Sequence, residues 1–74
     1  MKSFQLIEPD EDHANRVYAA KSADDAGLLE LLTAFPNAMD GMYLPIDHWL
    51  VQDAEGPRTV AMADHAFRHY YKEC

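Results

Sequence analysis

The clearest pattern in the chain is a series of leucines at helical spacing within residues 22–36. Residues three or four apart lie on one face of an α-helix. This face consists of Leu28, Leu31, Leu32 and Phe35, with Leu29 at its edge. The Ser22 hydroxyl can accept a hydrogen bond from an early backbone N–H group, and Pro36 cannot continue a helix. We therefore predict one amphipathic helix that begins at Ser22 and ends near Phe35.

A short strand is predicted ahead of this helix, in residues 3–8. Phe4 and Leu6 fall on one face of an extended segment, because successive side chains of a strand point to opposite sides. Pro9 and the acidic residues after it end the strand, and we expect a loop that runs to about Asn15.

Residues 16–21 fit two interpretations. As a strand, they lead directly into the cap at Ser22. As a helix, they would be part of a helix that begins at Asp12 and that would have to restart at Ser22. We prefer the strand, because Val17 and Tyr18 favour extended structure.

A β-hairpin is predicted after the leucine helix and a loop that contains Gly41, which can adopt positive φ. Residues 49–51, Trp-Leu-Val, have the composition of a strand, and Pro45 marks an edge, a bulge or the first residue of that strand. Residues 53–57 give a turn signal, and residues 58–62 return as a second short strand.

A second helix is predicted at the carboxyl end, where Asp64 can cap it. Its apolar face would consist of Ala63, Phe67, Tyr70, Tyr71 and Cys74. Its opposite face would consist of His65, Arg68, His69 and Lys72.

The predicted order is strand, strand, helix, strand, strand, helix. Short connections between sequential strands favour antiparallel pairing. The fold class is therefore α+β: about four short strands form a small antiparallel sheet, with two helices packed on one face. With 74 residues, the chain forms one small domain, residues 1–74.

The charge of the chain restricts its partners. Thirteen acidic residues oppose six basic ones, and the formal net charge is −7. This balance argues against direct binding to nucleic acid or to an anionic membrane surface, since both need clustered lysine and arginine. It permits a basic protein as the partner. The same charge is also typical of a small domain that needs it only for solubility.

The sequence also bears on the compartment. No apolar run approaches the roughly 20 residues of a membrane span, and residues 1–5 do not look like a signal peptide. We therefore expect a cytoplasmic protein. Cys74 is the only cysteine, so no intramolecular disulfide forms. A homodimer linked through Cys74 would need oxidising conditions.

Two groups of carboxylates are the candidate partner-binding residues. They are Asp10, Glu11 and Asp12 in the first loop, and Asp24 and Asp25 at the start of the first helix. If residues 16–21 form a strand, the two groups lie at its opposite ends. Spread along one edge, they would resemble a row of phosphates and could occupy a basic groove built for nucleic acid. The alternative is a solvated turn and a helix start, where aspartate is common.

Aromatic residues form a second candidate partner-binding surface, which would include Tyr43, Trp49 and Tyr70. These residue types are favoured in interface centres. For Trp49 we prefer a place in the core under the leucine helix. The sequence does not decide between the two for Tyr43 and Tyr70.

Metal binding and catalysis have weak signals. His65 and His69 are four residues apart and would share a helix face, but a zinc site needs three or four ligands. Ser22 and Ser3 lack the glycine-flanked turn of a hydrolase nucleophile, and the scattered glycines cannot cradle a phosphate. We therefore expect no catalytic residues and no cofactor.

These observations lead to three hypotheses. The first is a small acidic, non-catalytic protein that blocks a basic, nucleic-acid-handling partner, by class analogy with phage-encoded inhibitors of host defence. The second is a homodimeric structural or regulatory subunit that pairs through its last helix or an edge strand, with incidental acidity. The third is a metal-binding module that uses His65 and His69.

Overall fold

A computed structural model describes all 74 residues, and they form one five-stranded antiparallel sheet with two helices. In chain order the elements are β1 (Ser3–Leu6), β2 (Arg16–Lys21), α1 (Asp25–Ala34), β3 (His48–Asp53), β4 (Thr59–Ala63), α2 (Asp64–Tyr70) and β5 (Tyr71–Glu73). The strands are arranged as β4-β3-β2-β1-β5. The predicted α+β class is confirmed, as is the strand over residues 16–21. Neither helix has the length and apolar character needed to cross a membrane.

The central strand β2 is apolar on both of its faces. Val17 and Ala19 belong to one buried cluster, while Ala20 belongs to another, and strand geometry puts these two sets on opposite sides. Helix α1 packs on the face that carries Ala20, and α2 packs on the face that carries Val17. The prediction that both helices share one face is therefore wrong, because each apolar face needs its own cover.

Helix α1 covers its face through one fully buried leucine. Leu31 is 1% exposed and packs with Ala20, Leu50 and Ala38. Several partly buried side chains surround this cluster: Tyr18, Leu28, Leu32, Phe35, Met39, Met42 and Leu44. Leu29 points away and is 70% exposed. The predicted leucine face is confirmed, and its edge residue lies in solvent.

The start of α1 differs from the prediction. The backbone N–H of Ser22 donates to the carbonyl of His48 at 2.9 Å, so this residue still belongs to the pairing of β2 with β3. The cap is Asp24, whose carboxylate accepts from the backbone N–H of Gly27 at 3.0 Å. A side chain at position 27 would clash with that carboxylate, which explains the glycine.

Aromatic rings form the core under α2. Phe67 is 2% exposed and stacks on Trp49, with ring centroids 4.3 Å apart. Phe4 meets Phe67 edge-on at 4.9 Å, and Tyr71 stacks on Phe67 at 5.3 Å. Because α2 has only seven residues, this packing rather than intrinsic helix stability holds it in place.

The carboxyl end contains a strand that was predicted as helix. Helix α2 ends at Tyr70, and β5 then pairs antiparallel with β1, with Tyr71 opposite Leu6. The edge of β1 offers backbone partners that a longer helix would leave unused. Asp64 is also not the cap: Ala63 occupies that position, because β4 continues into α2 without a turn.

The predicted hairpin is confirmed, with β3 and β4 joined by a loop over residues 54–58. Gln52 is 2% exposed, and its amide donates to the carbonyls of Asp53 and Gly56, which fixes the loop. Gly41 has φ of 69°, as expected. Pro45 lies in the loop before β3 and not in the strand itself.

Two leucines on the same helix test the packing of α1. Leu31→Ala should lower the free energy of unfolding by about 2–5 kcal/mol, because it leaves a cavity in the buried cluster. The matched Leu29→Ala should change it by no more than about 0.5 kcal/mol. Urea denaturation followed by the fluorescence of the single tryptophan measures both. Equal losses in the two variants would contradict the described orientation of α1.

Candidate functional site: a cleft at the acidic end of the sheet

Two acidic loops meet at one end of the sheet. The β1–β2 loop and the β3–β4 loop are neighbours because Val17 pairs with Asp53, and Ala54 donates its N–H to the carbonyl of Arg16 at 3.0 Å. Arg58 links the two loops by donating from Nη1 to the carbonyl of Asp12 at 3.2 Å. We call this region the acidic end. Its carboxylates are Glu8, Asp10, Glu11, Asp12, Asp53 and Glu55, and its guanidinium groups are Arg16 and Arg58.

A cleft of about 210 Å³ opens at the acidic end, on the face covered by α2. Helix α2 crosses this face diagonally, from the end of β4 to the start of β5, and leaves one corner uncovered. The floor of the cleft is apolar and consists of Ala14, Val17, Val51, Val60 and Met62. Its rim is polar and consists of Asp12, His13, Asp53, Arg58 and Tyr71.

Hydrogen bonds within the first loop fix one side of the rim. Asp10 accepts from the backbone N–H groups of Asp12 at 2.9 Å and His13 at 2.8 Å. The Asp10 carboxylate also lies 2.9 Å from Nδ1 of His13, and the imidazole stacks on Tyr70 with ring centroids 4.2 Å apart. Desolvation acts to raise the pKa of Asp10, but these hydrogen bonds outweigh it and hold that pKa below its usual value. These hydrogen bonds thus order the acidic loop and favour the ionised form of Asp10.

Tyr71 joins the core to the rim. Its side chain is buried, and its hydroxyl donates to the carbonyl of Ala14 at 2.8 Å. Burial raises the pKa of this hydroxyl, the carboxylates of Asp10 and Asp53 raise it further, and Arg58 acts in the opposite direction. Ionisation of Tyr71 is therefore unfavourable, first because its hydroxyl is buried and second because Asp10 and Asp53 are nearby.

The structure separates the two predicted groups of carboxylates. They lie at opposite ends of β2, as expected if residues 16–21 form a strand. However, β2 is the central strand, and Asp24 contacts α1 on one face of the sheet whereas Asp12 borders the cleft on the other. A single row along one edge is therefore wrong. Asp10, Glu11 and Asp12 belong to the acidic end, while Asp24 and Asp25 belong to the start of α1.

The predicted aromatic residues do not form one surface. Trp49 is half-buried in the core, as preferred, but it packs under α2 and not under the leucine helix α1 as predicted, because the two helices cover opposite faces of the sheet. Tyr70 stacks on His13 at the acidic end. Tyr43 is 81% exposed in the loop before β3 and makes no ring contact with either of them.

The two helix histidines are exposed and far from a complete metal site. His65 and His69 both lie on α2. No group of three or more histidine, cysteine, aspartate or glutamate side chains is close enough to hold an ion. The neighbouring Asp64 carboxylate is already engaged, because it accepts from Nε1 of Trp49 at 2.8 Å and from Nε of Arg68 at 3.1 Å.

Most of the cleft was not predicted from the sequence. His13, Asp53, Arg58 and Tyr71 were not candidate residues, and the valines of the floor were read only as strand residues. One signal was available: connections of neighbouring antiparallel strands alternate between the two ends of a sheet. Knowing that β2 pairs with β3 would have placed the two acidic loops together.

The chain matches no protein-family model, no curated protein and no solved structure with which it was compared. The chemistry of the cleft is therefore read from its own residues. They provide an apolar floor, two carboxylates, one guanidinium group and an imidazole held by Asp10.

Asp64 should make the stability of the fold depend on acid pH. Hydrogen bonds from Trp49 and Arg68 lower its pKa from 3.8 to about 2. The carboxylate therefore stabilises the folded state above pH 3.8, and this contribution is lost as pH falls towards 2. The difference in unfolding free energy between the wild type and Asp64→Asn should shrink over that interval, as measured by urea denaturation at a series of pH values. The exposed Asp40→Asn is the control, and the same shrinkage there would contradict the assignment to Asp64.

Tyr71 should ionise late because its hydroxyl is buried and two carboxylates are nearby. Absorbance titration of the four tyrosines should show a late component that ionises above pH 10.0, because the pKa of Tyr71 is raised from 10.0. The neutral phenol stabilises the folded state at lower pH, and this contribution is lost as pH rises past 10.0. Tyr71→Phe should remove the late component, whereas Tyr43→Phe should leave it in place. Loss of the late component in Tyr43→Phe would contradict this description.

Proposed function

We propose that this protein is a small, non-catalytic binding protein that inhibits a basic partner protein, and that the acidic end is the surface that binds it. One observation carries the proposal: two acidic loops converge around a cleft with an apolar floor. Charge alone would serve solubility, but charge arranged around a concave apolar surface is suited to recognition.

The cleft fits the side chain of a lysine or an arginine. Such a side chain has an apolar stem and a charged tip. The stem can lie on Val17, Val51 and Val60, while the tip reaches Asp12 or Asp53 at the rim. The volume of about 210 Å³ is below the roughly 300–1,000 Å³ of most small-molecule sites. A single side chain of a protein partner is therefore a better match than a cofactor.

The residues around the cleft support binding rather than catalysis. Asp10 orients His13 in the way that a carboxylate orients a general base. A hydrolytic arrangement would also need a nucleophile, and no serine, threonine or cysteine lines the cleft. The hydroxyl of Tyr71 is committed to the carbonyl of Ala14. We accordingly assign no reaction to this site.

A nucleic-acid-handling protein is the natural partner in this proposal. The six carboxylates of the acidic end can pair with the lysines and arginines that such a protein uses for phosphates. The proposed mimicry of nucleic-acid phosphates is confined to the acidic end, because Asp24 and Asp25 lie at the start of α1. The size and charge resemble those of phage-encoded inhibitors as a class, and a cytoplasmic site of action follows from the same proposal.

Charge reversal at two places tests the proposal with equal changes of net charge. The full chain would first be used as bait to capture a partner from a lysate. Binding of that partner should then weaken by at least about tenfold in Glu11→Lys/Asp12→Lys, as measured by calorimetry. The matched Asp25→Lys/Asp40→Lys should retain affinity within about threefold. All four positions are exposed.

Salt provides the second arm of the test. Affinity for a basic partner should fall as ionic strength rises from about 0.05 to 0.5 M, because screening weakens exposed charge pairs. A partner that binds independently of salt, or that both double variants weaken equally, would refute the proposed role of the acidic end.

A further inference from the structure

One edge of the sheet lacks the features that usually prevent edge-to-edge pairing. The edge strand β4 reads Thr-Val-Ala-Met-Ala and contains no charge and no proline. Protein edges are usually short, charged or interrupted, since unpaired backbone groups can bind another chain. The opposite edge follows this rule: β5 has three residues, and two of them are Lys72 and Glu73.

The backbone hydrogen bonds show which residues of β4 face outward. Asp53 donates its N–H to the carbonyl of Arg58, and Asp64 donates its N–H to the carbonyl of Asp47. Hydrogen-bonded positions alternate along an antiparallel pair. Val60 and Met62 therefore bond inward to β3, and the outward positions are Thr59, Ala61 and Ala63.

We propose that β4 is a self-association site, at which a second copy of this chain pairs antiparallel in a register centred on Ala61. In this register the outward residues of the two strands lie opposite one another. Thr59 of each copy faces Ala63 of the other, and Ala61 faces Ala61 of the second copy. The interface is isologous, and two five-stranded sheets become one continuous ten-stranded sheet.

Side-chain pairing in this register favours a second copy as the occupant. Val60 comes opposite Met62 on the face that carries the cleft, and these half-exposed side chains gain apolar neighbours. Ala61 presents only a methyl group at the centre and leaves room for close approach.

The net charge of each chain acts against association, and the geometry reduces this repulsion. Because the strands are antiparallel, the acidic end of one copy lies beside the opposite end of the other. The two acidic ends are therefore at opposite poles of the dimer. Pairing along five residues buries little area, so the dimer belongs to the weak end of the range for protein interfaces. This inference stands independently of the proposed basic partner.

Analytical ultracentrifugation of the full chain tests the proposal. The weight-average mass should rise from 8.4 kDa towards twice that value as concentration increases to about 1 mM. Association should strengthen as salt rises from about 0.05 to 0.5 M, because screening reduces the repulsion between two acidic chains. This dependence is opposite to that expected for a basic partner, so the two proposals can fail separately.

Proline substitutions at the two edges locate the interface. Ala61→Pro removes an outward N–H group and spares the bonds to β3, and it should weaken self-association by at least about tenfold. Glu73→Pro makes the same change on the opposite edge and should leave association within about twofold. Tryptophan fluorescence verifies that both variants fold.

Hydrogen exchange on the unmodified chain tests the same interface without a substitution. Hydrogen exchange of the Ala61 amide should slow as the protein concentration rises, because that N–H becomes bonded to the second copy. A chain that stays monomeric to about 1 mM would overturn the proposal. A dimer that survives in a folded Ala61→Pro variant, or one with no concentration-dependent protection at Ala61, would overturn it as well.

Discussion

The fold depends on burying both faces of one strand. In β2, Val17 and Ala19 face one way and Ala20 faces the other, and all three are almost fully buried. Each face requires a separate cover, which α1 and α2 provide. A chain of 74 residues has little material for this purpose. Each cover is accordingly small and relies on one anchor: Leu31 in α1 and Phe67 in α2.

The cleft at the acidic end exists because α2 covers its face of the sheet only in part. Helix α2 has seven residues and crosses its face diagonally, so one corner of the sheet stays open. The strand residues at that corner are apolar because the same strands form the core. The floor of the cleft therefore contains three valines. The hairpin loops that border this corner carry the polar residues. An apolar cleft with a charged rim is thus a consequence of the topology.

The two proposed surfaces adjoin each other in one molecule and share Val60. The acidic end lies where the β1–β2 and β3–β4 loops meet, while the proposed self-association site is the outer edge of β4. The proposed antiparallel dimer would have both acidic ends at its poles and would present two copies of the proposed partner-binding surface. Two such surfaces on one particle would strengthen binding to a partner with repeated basic sites.

Local sequence patterns determined the elements, and tertiary contacts decided how they are combined. The leucines of α1, the alternation of Phe4 and Leu6, and the turn before β4 act through neighbours two to four residues away, so the sequence alone predicts them. The cap at Asp24 instead of Ser22, the strand β5 and the opposite placement of the helices depend on pairing between distant segments. The cleft does so as well, because Asp12, Asp53 and Tyr71 meet only after the strands have paired. Periodicity reports which way a side chain points, whereas only long-range backbone pairing decides which side chains become neighbours.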